Sequence, residues 1–80
     1  MSTSKRDLSS ELFNRLSSSE YQKAGEYLKE ACYYSDKARD ENTYDYDDRI
    51  RNFLICAFEV YKNAGMEHAT IVMKEYMKFF

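Results

Sequence analysis

Residues 49–80 read RIRNFLICAFEVYKNAGMEHATIVMKEYMKFF, and this stretch decides the fold. Placed on a helix, Arg49 to Lys62 gathers Ile50, Phe53, Leu54, Ala57, Phe58, Val60 and Tyr61 into one arc, the stripe that an amphipathic helix turns toward a core. Asn63-Ala64-Gly65 interrupts the pattern, and Gly65 can take the left-handed backbone conformation that commonly ends a helix. From Met66 onward the apolar residues Ala69, Ile71, Val72, Met73, Tyr76, Met77, Phe79 and Phe80 spread over more than half the helix circumference. The last helix is therefore expected to need cover on more than one side, and a symmetric homodimer through it is one way to supply that cover. Two amphipathic helices with a short Gly turn between them form an antiparallel hairpin.

Upstream, a second helical face carries Tyr21, Ala24, Tyr27, Leu28, Ala31, Cys32, Tyr34, Ser35 and Ala38. Ala24, Ala31 and Ala38 recur every seven residues, which makes the face small and lets a neighbouring helix approach closely. Gly25 in the same segment weakens a helix and marks either a close backbone contact or a local softness, the contact being favoured beside so many alanines. Ser17 with Glu20 forms a capping box that starts this helix, while Ser4 with Asp7 is a weaker one for a first helix with the stripe Leu8, Leu12 and Leu16. A single uninterrupted helix from Asp7 to about Arg39 is the alternative. The expected architecture is all-α: a small antiparallel bundle of three or four helices, at about residues 5–16, 18–39, 45–63 and 66–80, built around the C-terminal hairpin.

Composition agrees with that reading. Pro is absent and Gly appears twice, so helices meet little obstruction, and a chain that is 44% hydrophobic and 16% aromatic can form a core. Eighty residues make one domain, expected to have a flexible tail at 1–4 and an acidic linker at 40–48. Twelve basic against 14 acidic residues, net −2, give no electrostatic reason to expect direct nucleic-acid binding. No apolar run approaches the length of a membrane span, and the polar first ten residues lack a signal-peptide core, so a cytoplasmic protein is expected. Cys32 and Cys56, far apart in predicted helices, read as free thiols.

The hairpin resembles the helix-turn-helix of a tetratricopeptide repeat in setting Ala57, Tyr61, Gly65 and Ala69 around its turn. Gly65 stands closer to Ala69 than that pattern requires, and no second copy appears upstream at the repeat's period. The resemblance implies an antiparallel helical pair and no activity.

Chemistry-bearing motifs are few. His68 is the sole histidine and falls near the middle of the last helix's apolar arc, where a structural imidazole is expected rather than a metal ligand. A loop starting at Asp40 has Asn42 where a calcium-binding EF-hand needs it, but Tyr44, Asp45 and Arg51 occupy its fifth, sixth and twelfth positions, so it fails as a calcium site. There is no phosphate-binding Gly loop and no zinc-ligand pair, and no metal, cofactor or catalytic residue is predicted. An enzyme using His68 with a cysteine or a carboxylate is the weakest of the functional readings.

The favoured expectation is a small protein-interaction module, possible roles being inhibition or regulation of a larger protein with a basic surface. The expected partner-binding residues are Tyr44, Tyr46, Asp40, Glu41, Tyr33 and Ile55. From Asp36 to Asp48 six acids meet only Lys37 and Arg39, which suits a charged rim, or else a solvated cap on the third helix. Tyr44 and Tyr46 interleave with those acids, and Tyr33 and Ile55 lie among charged neighbours on their helices, either as part of a contact surface or as the scattered apolar residues that surfaces ordinarily carry; tyrosine combines contact area with a polar handle. A homo-oligomeric structural unit is the alternative.

Overall fold

A computed structural model describes residues 7–80, which form five helices and, among the described residues, no strand. These are α1 (Leu8–Arg15), α2 (Ser18–Lys23), α3 (Gly25–Glu41), α4 (Asp47–Asn63) and α5 (Glu67–Met77). The main packing joins α3 to α4 and α4 to α5, so α4 is the central element of a small all-α bundle. Its buried line is Ile50, Leu54, Ala57 and Tyr61, with Phe53, Phe58 and Val60 half-buried on its flanks. The alanine face of α3 is buried as the seven-residue spacing requires, with Ala31 and Ala38 set beside Leu28, Cys32 and Ser35.

The turn between α4 and α5 is built on Gly65, whose φ is +71°. The Gly65 N–H donates to the Lys62 carbonyl at 3.2 Å and the Met66 N–H to that of Tyr61 at 2.9 Å, so the last carbonyls of α4 are paired within the turn. Asn42 plays the same part after α3. Its φ is +53°, its N–H donates to Arg39 at 3.3 Å, and the Thr43 N–H donates to Ala38 at 3.0 Å. Asn is the residue other than Gly that most readily accepts this conformation, which is why α3 runs on to Glu41 instead of stopping at Arg39.

At the amino-terminal side, Asp7 caps α1 by accepting from the Ser10 N–H at 3.2 Å. The proposed pairing of Ser4 with Asp7 lies outside the described residues, as does the tail at 1–4. Leu8, Leu12 and Leu16 are all buried, and Tyr76 of α5 donates its hydroxyl to Glu11 at 2.7 Å. The Ser17–Glu20 capping box forms with both of its bonds, 3.1 and 2.8 Å, and this separates α1 from α2. An uninterrupted helix through the serines is thereby excluded.

Four local expectations are corrected. The helix beginning at Ser18 breaks at Ala24 (φ −123°, ψ 30°) and resumes at Gly25. A Cβ at Gly25 would meet nothing within 4 Å, so the residue marks a weak point in the helix and not a close contact. In the last helix and the residues after it, full burial is confined to Ala69, Val72, Met73 and Tyr76, with Met77 and Phe80 half-buried against the core, while Ile71 and Phe79 face outward, on the side that α4 does not cover. The ends of that hairpin move inward as well, α4 starting at Asp47 with Asp47 and Asp48 in its first turn, and α5 ending at Met77.

Candidate protein-interaction surface

The loop between α3 and α4 is held by an aromatic cluster. Tyr34 of α3 stacks on Phe53 of α4, with centroids 6.1 Å apart and planes 8° from parallel. On its other sides Tyr34 meets Tyr46 at 5.6 Å and, edge to face, Tyr33 at 5.0 Å. Two cations belong to the cluster. The Arg49 guanidinium lies 5.3 Å from the Tyr34 ring centre and donates to its hydroxyl at 3.2 Å, and the Lys37 ammonium lies 5.9 Å from the Tyr46 ring centre. Helical spacing sets Arg49 one turn before Phe53 and Lys37 one turn after Tyr33, and the packing of α3 and the loop against α4 brings the two cations to Tyr34 and Tyr46.

Tyr46 ties the loop down. Its hydroxyl donates to Glu41 at 2.9 Å, and Lys37 reaches the same carboxylate at 3.1 Å. The Tyr46 bond, then Lys37, holds the Glu41 carboxyl below its ordinary value, and the same bond raises the Tyr46 phenol. Between them the chain makes local turns, with the Asp45 N–H donating to the Thr43 hydroxyl at 3.1 Å and the Asp47 N–H to the Tyr44 carbonyl at 3.1 Å.

The sequence-predicted residues therefore divide. Tyr33 and Tyr44 are exposed, at 56% and 58%, whereas Tyr46 is half-buried and packed against the core. Asp40 and Glu41 are exposed at the end of α3, and among the described residues Asp40 and Asp45 form no ion pair, while Asp36 holds Arg39 and Asp48 holds Arg51. Ile55 does not join this group. It is half-buried one turn beyond Arg51, on the flank of α4 where Arg51 donates to the Phe80 carbonyl, away from the Phe53 flank that carries the tyrosines. Of the residues that build the platform, Tyr34 and Phe53 read in the sequence as core-facing, and Lys37 and Arg49 carry no assigned place at the surface there. The Arg49–Phe53 spacing was the available signal, but the pairing with Tyr34 is a tertiary contact.

His68 is corrected too. Its side chain is 60% exposed, with Nδ1 3.1 Å from the Glu20 carboxylate. It follows Glu67 on the open flank of α5, one residue short of the buried line that starts at Ala69, so the arc drawn from the sequence was too wide. Glu20 is the busier partner: its carboxylate accepts from the Ser17 N–H and its carbonyl from the Tyr61 hydroxyl at 2.6 Å. The Ser17 bond, with His68 adding to it, holds the Glu20 carboxyl below its ordinary value. Cys32 and Cys56 are free thiols; burial pushes the Cys32 thiol up to about 11, the opposite of an activated nucleophile. Among the described residues no three His, Cys, Asp or Glu side chains gather as metal ligands would, and no helix is long and apolar enough to cross a membrane.

No family model matches the chain, and no curated protein or solved structure proves similar to it.

Proposed function

We propose that this chain is a small cytosolic interaction module that acts by binding a protein partner with a basic surface, through the end of α3 and the loop into α4. The observation that carries the reading is the pair of large exposed aromatics, Tyr33, set edge to face on the stacked platform, and Tyr44 in the loop beside it, with the carboxylates of Asp40 and Asp45 in the same segment. Rigid aromatic anchors with a charged rim are the arrangement that gives contacts both affinity and selectivity. Charge supports the choice of partner: residues 36–48 carry net −4 while the whole chain carries −2, so the rest of the molecule is net positive. Two free cysteines suit a reducing compartment. Regulation or inhibition of the partner is the use that binding without turnover would serve. The test is affinity capture from the native cell with the unaltered chain and with a Tyr33→Ala, Tyr44→Ala double variant of unchanged helical signal. A partner retained by the first and lost by the second, more weakly bound at high salt, supports the reading; equal retention by both removes it.

A second reading, self-association through α5, rests on a separate observation. Ile71 and Phe79 are exposed, and Ile71 borders an open hollow of about 350 Å³ lined also by Lys62, Met66, Thr70 and Lys74. Scattering mass of the full chain, compared with that of an Ile71→Lys variant, distinguishes a dimer from a monomer.

A further inference from the structure

Tyr33, Asp36 and Asp40 follow one another at spacings of three and four on α3, so they share one outward stripe about 10 Å long. The neighbouring tyrosines reveal what such a ring accepts. Tyr34 has the Arg49 guanidinium over it and Tyr46 has the Lys37 ammonium over it, each cation also bonded to a polar oxygen beside the ring. Tyr33 is more than half exposed, and its ring contact within the cluster is the edge-to-face one with Tyr34. Asp40, two turns on from Tyr33, makes no ion pair among the described residues, and neither does Asp45 across the loop. An aromatic face and uncompensated carboxylates on the most acidic segment of the chain complement a cation that is planar and forked.

We propose that the Tyr33–Asp40 stripe recognises arginine side chains of an extended protein segment, one guanidinium lying over the Tyr33 ring and the charge of that segment meeting Asp40 and Asp45. This rests on the interaction-module reading above and adds the identity of the recognised side chain. Arginine is selected over lysine because the guanidinium is planar, more weakly hydrated than an ammonium and able to lie flat on the ring, while further basic residues of the segment reach Asp40 and Asp45. The acids attract either cation; the ring supplies the preference.

Two fluorescent peptides of Gly-Ser repeats, identical except that one carries arginine and the other lysine in each repeat, test this against the full chain by anisotropy at low salt. The arginine peptide is expected to bind about two- to five-fold more tightly than the lysine peptide. Tyr33→Leu should erase that preference by weakening the arginine peptide more than the lysine peptide, Tyr33→Phe should keep it, and Asp40→Asn with Asp45→Asn should weaken both peptides. Amide shifts from either peptide should centre on residues 33–48. Equal binding of the two peptides, or a preference that survives Tyr33→Leu, overturns arginine recognition; if the acid variants still weaken binding, the interaction-module reading stands. Shifts centred elsewhere, or no binding of either peptide, overturn the inference and count against the basic-partner reading together with it.

Discussion

Replacing Tyr61 with Phe isolates one hydroxyl at the joint between the two halves of the bundle. Tyr61 is fully buried on α4, and its hydroxyl reaches past the core to the Glu20 carbonyl in α2 at 2.6 Å. Phe keeps the ring and its packing, so the change removes a hydrogen bond and leaves a part-buried carbonyl to find water. A neutral hydrogen bond of this kind contributes about 1 kcal/mol net, and a poorly resolvated acceptor adds a few tenths, so Tyr61→Phe should cost about 1–1.5 kcal/mol. For a domain of this size, 1 kcal/mol corresponds to about 4–8 °C, which puts the expected drop in Tm at about 5–10 °C. Urea unfolding followed by far-ultraviolet circular dichroism should show a lower midpoint with an unchanged slope, because the surface exposed on unfolding is the same. Amide exchange should quicken most in α2, whose six residues bury no side chain fully and which is held by the half-buried Tyr21, by this bond and by the Ser17–Glu20 box. A Tyr61→Phe midpoint equal to that of the unaltered chain would refute the claim that the hydroxyl joins α2 to α4.

The two glycines should respond oppositely to alanine. Gly65→Ala forces a side chain into φ +71° and should cost about 1 kcal/mol, while Gly25→Ala, with open space around its Cβ and no positive φ, should be neutral or stabilise by up to about 1 kcal/mol, both read from urea midpoints. Alkaline stability should decline in two steps. Burial raises the Cys32 thiol from 9.0 to about 11 and the Tyr61 phenol from 10.0 to about 12, so the folded chain holds both protons more tightly than the unfolded one. Their contribution is complete below the ordinary values and is lost as pH rises toward the raised ones; Cys32→Ala should flatten the decline between about pH 9 and about pH 11 in urea midpoints taken across that range. In the aromatic cluster, Tyr46→Ala should lower stability by about 1–2 kcal/mol, whereas Tyr33→Ala, which loses one edge-to-face contact on an exposed ring, should cost about 0.5 kcal/mol in the same assay.

The helical hairpin was legible because periodicity and punctuation agree there. Ile50, Leu54, Ala57 and Tyr61 are buried where the stripe put them, and Gly65 takes the left-handed turn. The same method over-counted α5, since an apolar residue at a given angle is buried only if a neighbour covers that angle, and the neighbour's placement is a tertiary fact. Ile71 and His68 both fell on that error. Asn42 and the break at Ala24 were missed for a different reason: each is one residue's backbone conformation, decided by a small difference in local energy that periodicity does not register. Of the surface residues, composition indicated the tyrosines and the acids, but the identity of the inner ring, Tyr34 on Phe53, required knowing how α3 lies on α4.

That inner ring changes how the surface itself must be dissected. Tyr44 and Tyr46 stand two residues apart and look equivalent in the sequence, yet one is exposed and the other is bonded to Glu41, covered by Lys37 and packed against Tyr34. A variant lacking Tyr46 loses the ring that holds the loop between α3 and α4, so weakened partner capture after that change would report a displaced loop as readily as a lost contact. The same holds for Glu41, whose carboxylate is shared between Tyr46 and Lys37 inside the cluster. Tyr33, Tyr44, Asp40 and Asp45 make none of the hydrogen bonds that join Tyr46, Glu41 and Lys37, and Tyr33 touches the cluster through its edge-to-face contact with Tyr34, which Tyr33→Phe keeps. Binding losses confined to those four, with melting unchanged, would separate recognition from support; losses that track melting across all six positions would mean that the cluster serves the fold alone.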